Sequence, residues 1–278
     1  MTSTSPRLVL ITGASGGIGL AAAQAFAAAG WQVLAASRSP ERIAAGERIR
    51  PVRLDPADAA GRAAVAGLIS AEYGGRLDAL VNNAGYGQSG PVELLGEAEW
   101  RAQLDANVIA PALLTAALLP ALRAAGGAVL NVSSILGRSG YAWQGAYCAS
   151  KFAMEGWSEA LMLETQGQGV RIHLVEPGST RSGFGRHMHF VDELPPLYRA
   201  SGERFAALRA RLAERAQPAE RVAAALVRAA GRPGAPLRIA VGRDAQAASW
   251  LLALLPGRVY AALNRLLARK LLGLGSAP

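Results

Sequence analysis

Short apolar runs and longer stretches of helical periodicity alternate through most of this chain. Residues 8–11, 33–36, 52–54, 79–81, 129–132 and 171–175 are apolar runs of strand length. Between them, at about 17–29, 57–73, 97–122 and 147–166, apolar residues recur three and four apart, which puts them on one face of a helix. Gly30, Gly126 and Gly127, and Gly167 and Gly169 mark helix ends, where the chain turns through a left-handed conformation. Uninterrupted apolar strands alternating with helices predict a parallel sheet covered on both faces: an α/β, doubly wound, single-domain fold.

The rhythm lapses after Pro177. Residues 178–200 read as irregular and carry Pro195 and Pro196. Helices follow near 200–215 and 218–230, with a last strand at 237–241. Residues 183–212 combine Gly, Pro and large apolar groups, which suits a mobile substrate lid. The sheet domain is expected to span 1–248, lid included, and 249–278 to form a C-terminal amphipathic helical extension. After Pro256, Val259, Leu263, Leu266, Leu267 and Leu271 recur at helical spacing, and residues 249–278 hold four basic groups and no acidic one. Such a helix lies on an anionic membrane, covers a partner, or packs on its own domain. The apolar lid surface makes packing the favoured expectation and peripheral membrane contact the lesser one.

At 278 residues, 51% hydrophobic and 18% charged, the chain has the length and composition of one large globular domain rather than a disordered one. Its single cysteine, Cys148, excludes an intramolecular disulfide and a Cys-based zinc site, and fits a reducing cytoplasm. The longest transmembrane candidate, 110–125, is interrupted by Pro111, Pro120 and Arg123, so no spanning helix is expected. His187 and His189 have no obvious third ligand, and no metal is expected. Residues 1–170 hold 12 basic and 13 acidic groups, whereas 171–278 hold 17 and 7. Aromatic residues are few and no DNA- or RNA-binding motif occurs. The basic half therefore reads as solvated helix faces, with no nucleic-acid partner.

The first strand ends in Thr12-Gly13-Ala14-Ser15-Gly16-Gly17-Ile18-Gly19, and a helix follows. Glycines at 13, 17 and 19 let backbone approach a pyrophosphate, and the new helix offers its N–H groups and positive dipole end. Many dinucleotide folds place an acid after the second strand, where it holds the adenosine ribose. This chain has Ser37 and Arg38 there. No carboxylate repels a 2′-phosphate, and Arg38 can pair with one, which points to NADP; the plainer reading is a surface Arg beside Arg42.

Only two lysines occur among 29 basic residues, and one, Lys151, lies four residues after Tyr147. On a helix the two share a face. An ammonium ~4 Å away interacts with a phenolate by about 4 kcal/mol near a surface, enough to pull a phenol well below its usual ~10. A phenol tuned in this way passes protons near neutral pH.

Further motifs extend the pattern. Asn82-Asn83-Ala84-Gly85 follows the fourth strand and Pro177-Gly178 the sixth. Asn107, Ser134, Tyr147 and Lys151 are separated by 27, 13 and 4 residues. Over about 8–241 the chain resembles the short-chain dehydrogenase/reductase family. From Tyr147 to Gly156 it is similar to the branch containing hydroxysteroid and retinol dehydrogenases. The resemblance implies a Rossmann-like sheet and a catalytic tetrad of Asn107, Ser134, Tyr147 and Lys151. It implies cofactor contacts from Gly13, Ser15, Gly17, Ile18, Gly19, Ser37, Arg38, Asp55, Asn83, Ala84, Gly85, Tyr147, Lys151, Pro177, Gly178 and Ser182. Ser182 stands where the family usually has Thr. In this scheme Ser134 holds the carbonyl oxygen and Tyr147 acts as general acid or base. Lys151 supports the phenolate and the nicotinamide ribose, and Asn107 holds a water; taken singly, Asn107 also reads as a helix-bending polar residue.

These expectations amount to a cytoplasmic NADP(H)-dependent oxidoreductase, a homodimer or homotetramer, acting on a hydrophobic ketone, aldehyde or secondary alcohol. The substrate segments carry Tyr86, Leu136, Tyr141, Trp143, Phe184, Met188, Phe190, Leu194, Leu197 and Tyr198, which either line an apolar pocket or pack the lid to the body. The rivals are a non-catalytic NADPH sensor and a membrane-peripheral scaffold.

Overall fold

The structure, a computed structural model, describes residues 6–274. The last four residues of the predicted 249–278 extension lie outside the described residues. Strand β1 (Leu8–Thr12) turns into α1 (Gly17–Ala28), followed by β2 (Gln32–Ser37) and β3 (Ile49–Arg53). Helix α2 (Ala59–Glu72) starts at Asp58, whose carboxylate accepts from the Ala60 and Gly61 N–H groups, and leads to β4 (Ala79–Asn82). Then come β5 (Gly87–Ser89), α3 (Glu97–Leu104), α4 (Ala110–Ala125), β6 (Ala128–Val132), α5 (Gly145–Glu164) and β7 (Arg171–Pro177). The remainder is β8 (Thr180–Arg181), β9 (Met188–Phe190), α6 (Pro196–Glu214), β10 (Gln217–Pro218), α7 (Ala219–Gly231), β11 (Arg238–Val241), α8 (Arg243–Leu254) and α9 (Gly257–Leu272).

Among the described residues, seven strands form one parallel sheet in the order β3-β2-β1-β4-β6-β7-β11. Side chains alternate across it. Val9, Ile11, Val33, Ala35 and Val81 pack with α1 and α7, while Leu8, Leu10, Leu34, Leu80 and Val129 pack with α2, α4 and α5. The central strands are dry on both faces, which is why β1, β2 and β4 read as apolar runs, whereas the edge strand β3 is only half-buried. The winding reverses between β1 and β4, and the crevice beyond their C-terminal ends, at Thr12 and Asn82, is where an open α/β sheet takes its ligand.

The sequence departs from expectation at four places. The predicted 97–122 helix contains a widened π turn at Asp105–Ile109. Pro111 has no N–H, and its ring crowds the carbonyl of Asn107 four residues earlier; the wide turn relieves that clash. The combined 97–125 helix is long and apolar enough to cross a bilayer, yet its Leu114, Leu118 and Leu122 are buried against the sheet. The 178–200 segment is more ordered than its composition implied. Strand β8 pairs with β10 and β9 with β5, and α6 starts at Pro196, because proline suits a first helical turn. Finally, α8 runs through the 248/249 boundary, and the break falls later, at Pro256.

Candidate active site and cofactor cleft

The glycine loop is built for close approach. Gly13 and Gly17 have φ of 67° and 55°, a left-handed backbone that a Cβ would strain. A Cβ at Gly19 would strike the Gly13 carbonyl and the Asn83 amide. Helix α1 begins without a capping side chain and without an acid in its first turn, so its N-terminal N–H groups suit an anion. Ser15 and Ile18 are half-buried on this loop and turn. Thr12 ties the loop to β4: its Oγ1 accepts from the Asn83 and Ala84 N–H groups at 3.0 Å each, and Asn83 Nδ2 donates to the Thr12 carbonyl at 2.9 Å.

The other expected cofactor residues ring this loop. Ser37 is buried at the end of β2, where its Oγ accepts from the Ser39 N–H, and the Arg38 side chain is exposed beside it. Asp55 Oδ1 accepts from the Ala57 N–H. Gly85 presses on the Asn107 side chain, and a Cβ there would sit 2.7 Å from its Oδ1. Pro177 ends β7, the Gly178 N–H donates to the Val241 carbonyl, and Ser182 lies directly on Gly17.

Tyr147 and Lys151 occupy successive turns of α5, both buried. Lys151 Nζ donates to the Val132 carbonyl at 2.9 Å and lies 5.8 Å from the Tyr147 ring centroid. The Ser134 hydroxyl, just beyond β6, stands close enough to the Tyr147 phenol to stabilise its anion, and accepts from the Leu136 N–H at 3.2 Å. Thus the end of β6 and the start of α5 bring three of the four expected catalytic groups together.

The expected lowering of the Tyr147 pKa is corrected. Burial disfavours the phenolate and pushes the phenol above its ordinary value, with the nearby Ser134 hydroxyl only partly offsetting it. Burial also lowers Lys151 to about 8, against the opposing pull of the Glu155 carboxylate. Desolvation therefore outweighs mutual attraction in this pair. The phenol holds its proton throughout the neutral range.

Asn107 is fully buried in the π turn, and its side chain is committed to protein. Its Oδ1 accepts from the Tyr86 N–H at 3.2 Å; its Nδ2 donates to the Tyr86 carbonyl at 2.9 Å and to Ser150 Oγ at 3.1 Å. It clamps the loop after β4 onto the helix. The side chain thus serves as a brace.

Sequence reading missed a buried charge cluster behind Lys151. Glu176 on β7 is fully buried, with Arg238 Nε at 3.4 Å and Arg138 Nη1 at 3.8 Å; Arg238 Nε also donates to Glu155 at 3.0 Å. Burial, with Glu155 nearby, raises Glu176 to about 7. Arg138, Glu155, Glu176 and Arg238 stand on separate elements, and no local spacing signals their meeting.

The large apolar residues of the substrate segments divide. Phe184 stands 5.6 Å from the Tyr147 ring, and Gly87 lies against Phe184 and Met188. Tyr141, Trp143, Leu194 and Tyr198 instead join Phe205 and Leu272 in a third apolar cluster. Trp143 stacks on Phe205 at 5.6 Å with a φ of 72°, unusual for a residue with a side chain, and its carbonyl accepts from the Gly90 N–H and Ser89 Oγ. Helices α6 and α9 pack together over this cluster.

Residues 7–189, about two thirds of the chain, match the short chain dehydrogenase family. The chain belongs to that family. A short-chain dehydrogenase from Streptomyces avermitilis has the same fold, with a TM-score of 0.81 and 35% identity over 99% of this chain and 100% of that one. A second, from Burkholderia cenocepacia, was solved in complex with NADP; its TM-score is 0.75, at 25% identity over 93% and 98% of the two chains. A 3-ketodihydrosphingosine reductase from Bacteroides thetaiotaomicron is 41% identical over 184 residues, 64% of this chain and 66% of that relative's length. The short-chain dehydrogenases use a nicotinamide cofactor, and the tight glycine loop, the uncapped α1 and the buried Tyr147 and Lys151 beside half-buried Ser134 fit one.

Proposed function

We propose that this short-chain dehydrogenase transfers a hydride between NADP(H) and a lipophilic ketone, aldehyde or secondary alcohol, with Tyr147 as general acid and base. The observation that carries this reading is the buried Tyr147 phenol beside the Ser134 hydroxyl, with buried Lys151 one turn further on and fixed to the Val132 carbonyl. When bound, the nicotinamide supplies the hydride. Ser134 holds the carbonyl oxygen as negative charge builds there, and Tyr147 delivers the proton that burial keeps on its phenol. Lys151, fixed by the Val132 carbonyl, places a positive charge beside that phenol as it loses the proton. Arg38, exposed with no acid at Ser37, supports NADP over NAD through a charged phosphate contact. Phe184, Met188 and Tyr86 beside the site support an apolar substrate, as does the name of the Bacteroides relative. The single, buried Cys148 supports a cytoplasmic setting. Exposed Ile109, Leu113, Phe152 and Leu163 support assembly of several copies.

The test is Tyr147→Phe, which keeps the ring and removes the donor. Ketone-dependent NADPH consumption should fall by about 10²- to 10⁴-fold while NADPH affinity, measured by calorimetry, stays unchanged. A Tyr147→Phe protein that turns over normally would remove Tyr147 from the reaction.

A further inference from the structure

We propose that the exposed faces of α8 and α9 are a membrane-docking surface that seats this enzyme on an anionic lipid bilayer. Helix α8 turns Ala245 into the body and leaves its other side uncovered. Trp250, Leu251 and Leu254, spaced to share one helical face, are exposed, Trp250 by 68% and Leu254 by 72%. Helix α9 follows directly across Leu255 and Pro256 and also exposes apolar groups. Its Leu272 enters the third apolar cluster and Tyr260 hydrogen-bonds Ser139, while Val259 and Leu266 point to solvent. The two helices are therefore held to the body at defined points, and they leave more apolar surface exposed than α6 covers.

Charge selects the occupant. Arg258, Arg265 and Arg269 recur at positions that line one flank of α9, all exposed, with Lys270 beside Leu266. No acidic residue follows Asp244. A second copy of this face would bring the same basic rows together across a two-fold axis, which like charges oppose. Anionic headgroups neutralise those rows, and Trp250 has the amphipathic ring that settles at a membrane–water interface. Because α9 packs on α6, docking would turn the lid segment toward the lipid, the source of a lipophilic substrate. That last step rests on the function proposed above; the docking itself does not.

The experiment is co-sedimentation of the full-length protein with vesicles of phosphatidylcholine alone and of phosphatidylcholine mixed with phosphatidylserine. We expect at least ten-fold more bound protein on the anionic vesicles, with the difference reduced by added salt. Binding should be lost in Trp250→Ser/Leu254→Ser and in Arg258→Glu/Arg265→Glu/Arg269→Glu, all at exposed positions. Analytical ultracentrifugation of each protein without lipid is run in parallel, and a normal circular-dichroism spectrum checks folding. Equal recovery on both vesicle types, or anionic binding that both variants retain, overturns the proposal. So does an oligomer that the variants dissociate while no protein sediments with vesicles, which would assign the face to a second copy. Vesicle binding by a protein that consumes no NADPH with any ketone leaves the docking standing and removes the catalytic reading instead.

Discussion

The crevice at the ends of β1, β4 and β6 and the cap formed by α6, α8 and α9 are built in opposite ways. In the crevice several polar side chains are fixed by partners on other elements. Thr12 holds Asn83 and Ala84, Asn82 donates to Asn131 and Thr115, Asn107 holds Tyr86, and Lys151 holds Val132. In the cap, contacts are mostly apolar, and Trp250, Leu254 and Leu197 remain exposed. Hydrogen bonds impose distance and angle, whereas apolar contact is non-directional. The crevice is suited to hold reacting atoms in place. The cap is suited to move, to accept varied apolar surfaces and to change without disturbing the chemistry.

The largest test of that contrast is on the crevice side. Lys151→Arg keeps the charge but cannot place a planar guanidinium at the buried Nζ position on Val132. NADPH-dependent turnover should drop by about 10²- to 10³-fold, measured as kcat with NADPH saturating. Near-normal turnover would mean that the site tolerates imprecision, as the cap does.

At the rim of the crevice, Arg38→Ala should lower the preference for NADPH over NADH by about 10- to 100-fold, through loss of a charged hydrogen bond of about 1.5–3 kcal/mol. The ratio of kcat/KM for the two cofactors measures it.

The pH dependence follows from burial of Lys151. Its folded-state pKa is lowered to about 8, so the free protein keeps the ammonium below that pH and loses it above. NADPH affinity should therefore weaken as pH rises through about 8, by about ten-fold, and Lys151→Met should lack that transition. A calorimetric titration series across pH reads both.

The smallest effect on chemistry belongs to the cap. Phe205→Ala removes the ring under Trp143 and should raise amide exchange in α6 and α9 while β1, β4 and β6 stay protected. Turnover should change by only about two- to three-fold, because the lid is drawn from the less stable end of the structure. Deprotection of the sheet would show that cap and crevice unfold as one unit.

How much was legible in the sequence also separates along this line. The sheet was readable because its central strands are buried on both faces, so that β1, β2 and β4 are apolar runs, and the glycine loop and the i,i+4 pair Tyr147–Lys151 are local patterns with local geometry. What was not legible depended on partners far along the chain. Helix periodicity passes through Asp105–Ile109 unchanged, and only the clash of Pro111 with the turn before it marks the π turn. Glu155 and Glu176 meet Arg138 and Arg238 only in the folded chain, from distant segments. The direction of the Tyr147 shift was misread for the same reason: charge proximity is visible in spacing, and burial is not. In the cap, Pro195 and Pro196 looked like a loop, although Pro196 opens α6.

The central claim is that this crevice reduces a lipophilic carbonyl with NADPH. Its most direct measurement is cofactor consumption by the wild-type protein at neutral pH, followed at the nicotinamide absorbance with a graded series of ketones and with NADPH and NADH in turn. The account predicts consumption with NADPH that rises with the apolar bulk of the ketone and is at least about ten-fold less efficient with NADH. A folded protein that binds NADPH yet consumes none with any ketone, or that prefers NADH, would contradict it.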